Sequence, residues 1–225
     1  MTRRALWFLL AMQVPAVPAA EAPAITVHLY DLASVPEEVL AQAADITTRI
    51  YAGAGVQLHW VRHEAPTAKL GLGNPFRPNP TPAEVSVRLL PKHLSRKLAR
   101  PGSPMVGIAY PVGQGDYRFL ATLLYDRVEL AARSYGVSAS WLLGHLITHE
   151  LGHLLLGPGA HARATIMACP WDTNEVRDAK RGWLRFAATQ AVTLRSNVAS
   201  RLEAAASKAG EPAILAEAAP PTAAR

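Results

Sequence analysis

Apolar and polar positions alternate over residues 25–30, Ile-Thr-Val-His-Leu-Tyr, the period-two pattern of a half-buried strand. Ser34 and Glu37 then match a capping box, with Pro36 in the first turn. Val39, Ala43, Ile46 and Ile50 recur at helical spacing. They predict an amphipathic helix with those side chains buried, ending near Gly53 and Gly55. Val56, Leu58 and Trp60 alternate as a second strand. Val85, Val87 and Leu89 mark the buried side of a third over 85–90. Residues 63–84 are rich in Pro, Gly and Asn and predict a long loop. A short basic helix is expected over 92–99. Apolar runs at 105–110 and 118–125, separated by Gly113 and Gly115, predict two further strands.

From Ser138 to Leu156 the chain is strongly apolar and helical in character, and Gly157-Pro158-Gly159 ends that helix. Two more helices are expected, one capped by Thr173 and one over 188–204. In the second, Ala191, Leu194, Val198 and Leu202 mark the buried side. Residues 204–225 hold ten alanines and three prolines without a core pattern, which predicts a disordered tail. A strand, a helix and several strands before C-terminal helices make an α+β domain over 24–203.

The N-terminus changes the charge balance. Arg3 and Arg4 precede the apolar run Ala5 to Met12, and small residues and prolines follow through Ala20. This is the pattern of a signal peptide over residues 1–20, which predicts export to a periplasm or medium. The run is shorter than a membrane span needs. Cleavage there removes two of 23 basic residues and none of 17 acidic ones, so a formal charge of +6 falls to about +4. No dense Lys/Arg run accompanies it, so nucleic acid is not indicated as a partner. One cysteine in 225 residues excludes an internal disulfide framework and a four-cysteine zinc site.

Chemistry enters at His149-Glu150-Leu151-Gly152-His153. Residues four apart share a helix face, about 6 Å apart along the axis. Two imidazole nitrogens at that spacing reach one metal ion. Glu150 emerges beside the pair, placed to take a proton from an attacking water rather than to bind metal. Together with His145, these are the only ionisable side chains over the nineteen residues 138–156. Burying an unpaired carboxylate beside imidazoles is costly unless something uses them. One Zn2+ ion with three protein ligands and an open position is the site this implies. The third ligand is His161, just after the glycine break, or Glu175, 22 residues beyond His153. The break favours His161, because a chain that leaves a helix and folds back onto its metal needs one.

His149-Glu150-x-x-His153 with Gly157, His161 and Met167 resembles the metzincin zinc peptidases, and exported bacterial proteins predicted to be peptidases. The usual metzincin spacing places glycine and histidine where this chain has Leu156 and Gly159. The resemblance in motif spans residues 149–167. It implies a mixed sheet of about four or five strands with an active-site helix. It also implies zinc held by His149, His153 and His161, Glu150 as general base, a Met167 turn beneath the metal, and peptide or protein substrates lying along a sheet edge. Asn174-Glu175-Val176-Arg177-Asp178 instead resembles the gluzincin pattern, in which Glu175 is the third ligand. A non-catalytic zinc domain with Cys169 as fourth ligand is the alternative from another class.

Other residues have structural expectations. His145 packs or supports a ligand, Cys169, Trp171 and Trp183 are buried, and Arg96, Lys97 and Arg100 form a solvated face. An intramembrane protease is excluded, since no further spans would shelter His and Glu in lipid.

Overall fold

A computed structural model describes residues 21–63, 81–100, 103, 105–110, 119–157 and 159–210. The expected signal peptide, positions 64–80 of the expected loop and the last fifteen positions lie outside the described residues. Among the described residues there are five strands: β1 (Ala24–Asp31), β2 (Gln57–His63), β3 (Glu84–Leu90), β4 (Gly107–Tyr110) and β5 (Leu120–Leu124). They form one mixed sheet in the order β2-β1-β3-β5-β4. The first four strands in that order run parallel, and β4 runs antiparallel to β5. The α+β class and the strand count agree with the sequence reading.

Among the described residues six helices accompany the sheet: α1 (Glu37–Gly53), α2 (Lys92–Leu98), α3 (Tyr125–Tyr135), α4 (Ala139–Leu156), α5 (Thr173–Lys180) and α6 (Ala188–Gly210). Val27, Leu29, Val85, Val87, Ala121 and Leu123 supply the sheet side of the main core, with α1 and α4 against them. The central strand β3 is buried on both faces. Ser86 and Arg88 lie opposite Val85 and Val87 and are also buried, and Arg88 Nε donates to Thr122 Oγ1 at 2.6 Å. Alternation had marked only one buried face.

Several local expectations change. The Ser34–Glu37 capping box does not form. Pro36 is the N-cap of α1, and the Asp31 carboxylate instead accepts from the backbone N–H groups of Ala33 and Val35. The deepest stripe of α1 is Leu40, Ala43, Thr47 and Tyr51: Ala43 is buried as expected, and the other three lie one residue beyond Val39, Ile46 and Ile50. Two of its members carry hydroxyls, and both find carbonyls on α4: Thr47 Oγ1 donates to Gly144 at 2.9 Å and Tyr51 to Thr148 at 3.3 Å. Gly144 permits this approach, because a Cβ there would lie 2.8 Å from the Ala43 carbonyl oxygen.

Helix α3 was not anticipated. The apolar run ends at Leu124, and the chain turns directly into a helix that buries Val128 and Ala132 and closes at Gly136, whose φ of 60° favours glycine. Asp172, not Thr173, caps α5, in a capping box with Glu175. Helix α6 continues to Gly210, so residues 204–210 are helical rather than part of a tail. Leu194 and Val198 are fully buried as expected, but Leu202 is exposed, and Arg201 takes the buried place beside it. Trp183 is two-thirds exposed at 66%, with the Arg181 guanidinium over its ring.

Helix α4 is fixed at both ends. Ser138 Oγ accepts from Trp141 N–H at its start. At its other end Asn197 Nδ2 donates to the Leu155 carbonyl at 2.8 Å and Arg201 Nη2 to Leu154 at 2.9 Å. These are last-turn carbonyls that a helix leaves without internal partners. The C-terminal helix thereby steadies the turn of α4 that carries His153. Among the described residues, no helix is long and apolar enough to cross a membrane.

Candidate metal centre

His149 and His153 lie on successive turns of α4, and their Nε2 atoms face each other at 3.1 Å. His161 reaches the same point from beyond the helix. Its ring centroid is 5.5 Å from that of His149 and 4.6 Å from that of His153. One nitrogen from each of the three rings lies within 4.8 Å of the others. Gly157 and Gly159 turn the chain back with φ of 86° and 73°. Gln190 Nε2 then anchors the returning strand by donating to the Ala160 carbonyl at 3.0 Å. His149 is buried and His161 exposed, so the cluster opens to solvent on one side.

The turn over residues 162–168 orients this cluster. His149 Nδ1 lies 2.8 Å from the Ile166 carbonyl oxygen. A carbonyl only accepts, so Nδ1 carries the proton and Nε2 keeps its lone pair for a cation. Thr165 Oγ1 donates to the Ala162 carbonyl at 2.9 Å and accepts from Met167 N–H at 3.1 Å, which tightens the turn. Met167 is fully buried under α4, and its sulfur occupies the space that a Cβ at Gly152 would need. Gly152, inside the motif, is therefore a packing requirement of the turn below it.

Glu150 is 6% exposed and lies beside the histidines. Burial pushes its carboxyl up from 4.5 to about 8. Gly107 on β4 faces it, and a Cβ there would lie 2.5 Å from Glu150 Oε1. Only glycine lets the edge strand approach this closely. Nothing in the sequence marked Gly107, because the contact spans 43 positions and depends on which strand lies at the edge. Burial also lowers the pKa of His149, opposed by its bond to Ile166. A neutral imidazole at neutral pH is the form that binds metal.

The other named residues lie elsewhere. The Glu175 carboxylate accepts from the Asp172 N–H at 3.0 Å as part of the capping box of α5. His145 is buried, its Nδ1–H donates to the Trp141 carbonyl at 2.8 Å, and it packs between Trp141 and Trp171. Cys169 is exposed, contrary to its expected burial, because the chain leaves the core after Ala168. Among the described residues it is not part of the converging ligand group, so the four-ligand alternative is not assembled. Arg96, Lys97 and Arg100 are exposed as expected.

A cavity of about 420 Å3 opens beside His149 and Glu150. Leu142 and Leu146 of α4, Val106 and Gly107 at β4, and Trp171 line it. It is apolar apart from the site residues and a few hydroxyls, the usual character of a small-molecule or side-chain pocket.

No protein-family model matches the chain, and no curated protein does either. Among solved structures the chain is similar to archaemetzincin from Methanopyrus kandleri, with a TM-score of 0.45 and 17% identity over 81% of this chain and 99% of that one. A likeness of that size carries nothing about chemistry, which rests on the residues themselves.

Proposed function

We propose that the chain is a zinc-dependent peptidase in which His149, His153 and His161 hold one Zn2+ ion and Glu150 is the general base. The observation that carries the reading is the convergence of three imidazole nitrogens within 4.8 Å beside a buried carboxylate with no role in the core. The donor set fits zinc: three imidazoles with an open, solvent-facing side match a three-ligand catalytic site. A zinc ion held there supplies a Lewis acid that acidifies water and polarises a carbonyl.

The chain's own groups do the rest. Glu150 takes the proton of the attacking water and returns it to the leaving amine. The Ile166 carbonyl holds His149 in the tautomer that presents Nε2. Gly107 admits the β4 backbone next to Glu150, and β4 is the last strand of the sheet. A peptide added along its outer edge would place its own carbonyls beside Glu150. Peptides or proteins are therefore the substrates this reading assigns. The N-terminal pattern of residues 1–20 supports export, so on this reading the enzyme would act outside the cytoplasm.

The test is hydrolysis of a broad peptide library by protein carrying one zinc per chain, by chelator-stripped protein, and by stripped protein given zinc again. Cleavage that disappears and returns with the metal supports the reading. A chain that holds one zinc and cleaves no peptide overturns it.

A further inference from the structure

The mechanism above leaves one reactive group unused at the mouth of its own site. Cys169 is the only cysteine of the chain, it is exposed, and it carries a free thiol. It lines the same cavity of about 420 Å3 as His149 and Glu150, together with Pro170 and Trp171. Glu150 independently marks this cavity as a ligand site. Its side chain is buried, faces the cavity and has no hydrogen-bond partner among the described residues.

We infer that Cys169 is a reversible modification site at which a small disulfide closes the cavity and so switches off binding at the metal centre. The step is thiol–disulfide exchange. The Cys169 thiolate attacks one sulfur of a small disulfide such as oxidised glutathione. A new S–S bond joins Cys169 to one glutathionyl group, the old S–S bond breaks, and the second glutathione leaves as its thiolate. No further oxidant is required. Reduced glutathione in excess reverses the exchange.

Size and position give the consequence. Pockets of roughly 300–1,000 Å3 hold drug-sized ligands, the class to which a glutathionyl group belongs. An adduct tethered at Cys169 reaches the cavity without crossing bulk solvent, so its effective concentration there is high. The site would work only while Cys169 is reduced. This regulation rests on the peptidase reading for its meaning but not for its measurement.

The experiment uses the full chain with cobalt in place of zinc, so that ligand binding at the metal is read from the visible spectrum without turnover. Leucine hydroxamate is the probe, because its hydroxamate binds the metal and its side chain needs the apolar cavity. The protein is treated with oxidised glutathione until intact mass shows one adduct. Affinity for the probe should fall at least tenfold with cobalt content unchanged, and reduced glutathione should restore it. Cys169→Ser and Cys169→Ala should keep full affinity after the same treatment. A complete adduct with unchanged affinity overturns the inference. So does failure of the folded protein to form an adduct that its denatured form accepts, or loss of the metal on modification. If the probe is displaced as described while no peptide is ever cleaved, the peptidase reading fails and the modification site stands.

Discussion

Replacing Gly152 by alanine tests the packing beneath the metal centre. In most helices this change is favourable, because alanine has about 1 kcal/mol better helix propensity than glycine. Here the new methyl would meet the Met167 sulfur and would sit 3.4 Å from the Phe186 ring. Met167 is fully buried, so its sulfur must shift within the core. Overpacking of this kind costs about 1–3 kcal/mol. The net effect should be a loss of up to about 2 kcal/mol, or a urea midpoint lower by up to about 1 M at unchanged slope. Met167→Ala alone should cost about 2–5 kcal/mol through the cavity it leaves. In that background the clash is gone, and Gly152→Ala should turn stabilising by about 1 kcal/mol. The pair should therefore couple by about 1–3 kcal/mol in a double-mutant cycle on metal-free protein. Additive effects, or a Gly152→Ala variant more stable than wild type, would refute the placement of Met167 under the motif helix.

Three further outcomes follow from the site. Gly107→Ala should keep one zinc per chain yet lose at least tenfold in peptide cleavage, since its Cβ would displace the Glu150 carboxylate; unchanged kcat/KM would remove Gly107 from the site. His161→Ala should lose zinc on dialysis and Glu175→Ala should not, by metal analysis; loss only in the second would transfer the third ligand to Glu175. In chelator-stripped protein Glu150 titrates near 8 when folded and near 4.5 when unfolded. The native state then binds the extra proton between those values, so the Glu150 contribution to stability should fall as pH rises through that window, by up to about 1.4 kcal/mol per unit. The difference in urea midpoint between wild type and Glu150→Gln should show this slope across pH, because it cancels the opposite contribution of His145 and His149, whose pKa values burial lowers.

The site was more legible than the fold around it. Two histidines four apart with a glutamate between them declare their geometry within a single helix, and the glycine break beside His161 shows how the chain returns. Sheet order carries no such local signature, because it depends on which strands meet across long separations. Gly107 escaped for that reason. Helix α3 was hidden because it begins directly after Leu124 with no turn residue between strand and helix, and only Gly136 marks its end. The misplaced residues share another cause. Arg201 is buried where Leu202 was expected because its guanidinium finds the carbonyls of Pro82 and Leu154, partners no hydropathy pattern displays. Cys169 and Trp183 were assigned by residue type, and local chain direction decided against type in both. Asp172 took the capping role assigned to Thr173, while α1 starts at Pro36 with no side-chain cap and Asp31 holds the turn before it, since competing polar residues near a helix start are distinguished only by backbone geometry.

The central claim is that Glu150 is the base of a zinc site it does not help to hold. Its most direct test compares wild type with Glu150→Ala for zinc content and peptide cleavage on the same samples. One zinc per chain in both proteins, with cleavage in wild type and at least a hundredfold less in the variant, is the predicted result. Equal cleavage by the two proteins, or loss of zinc from the variant, would contradict it.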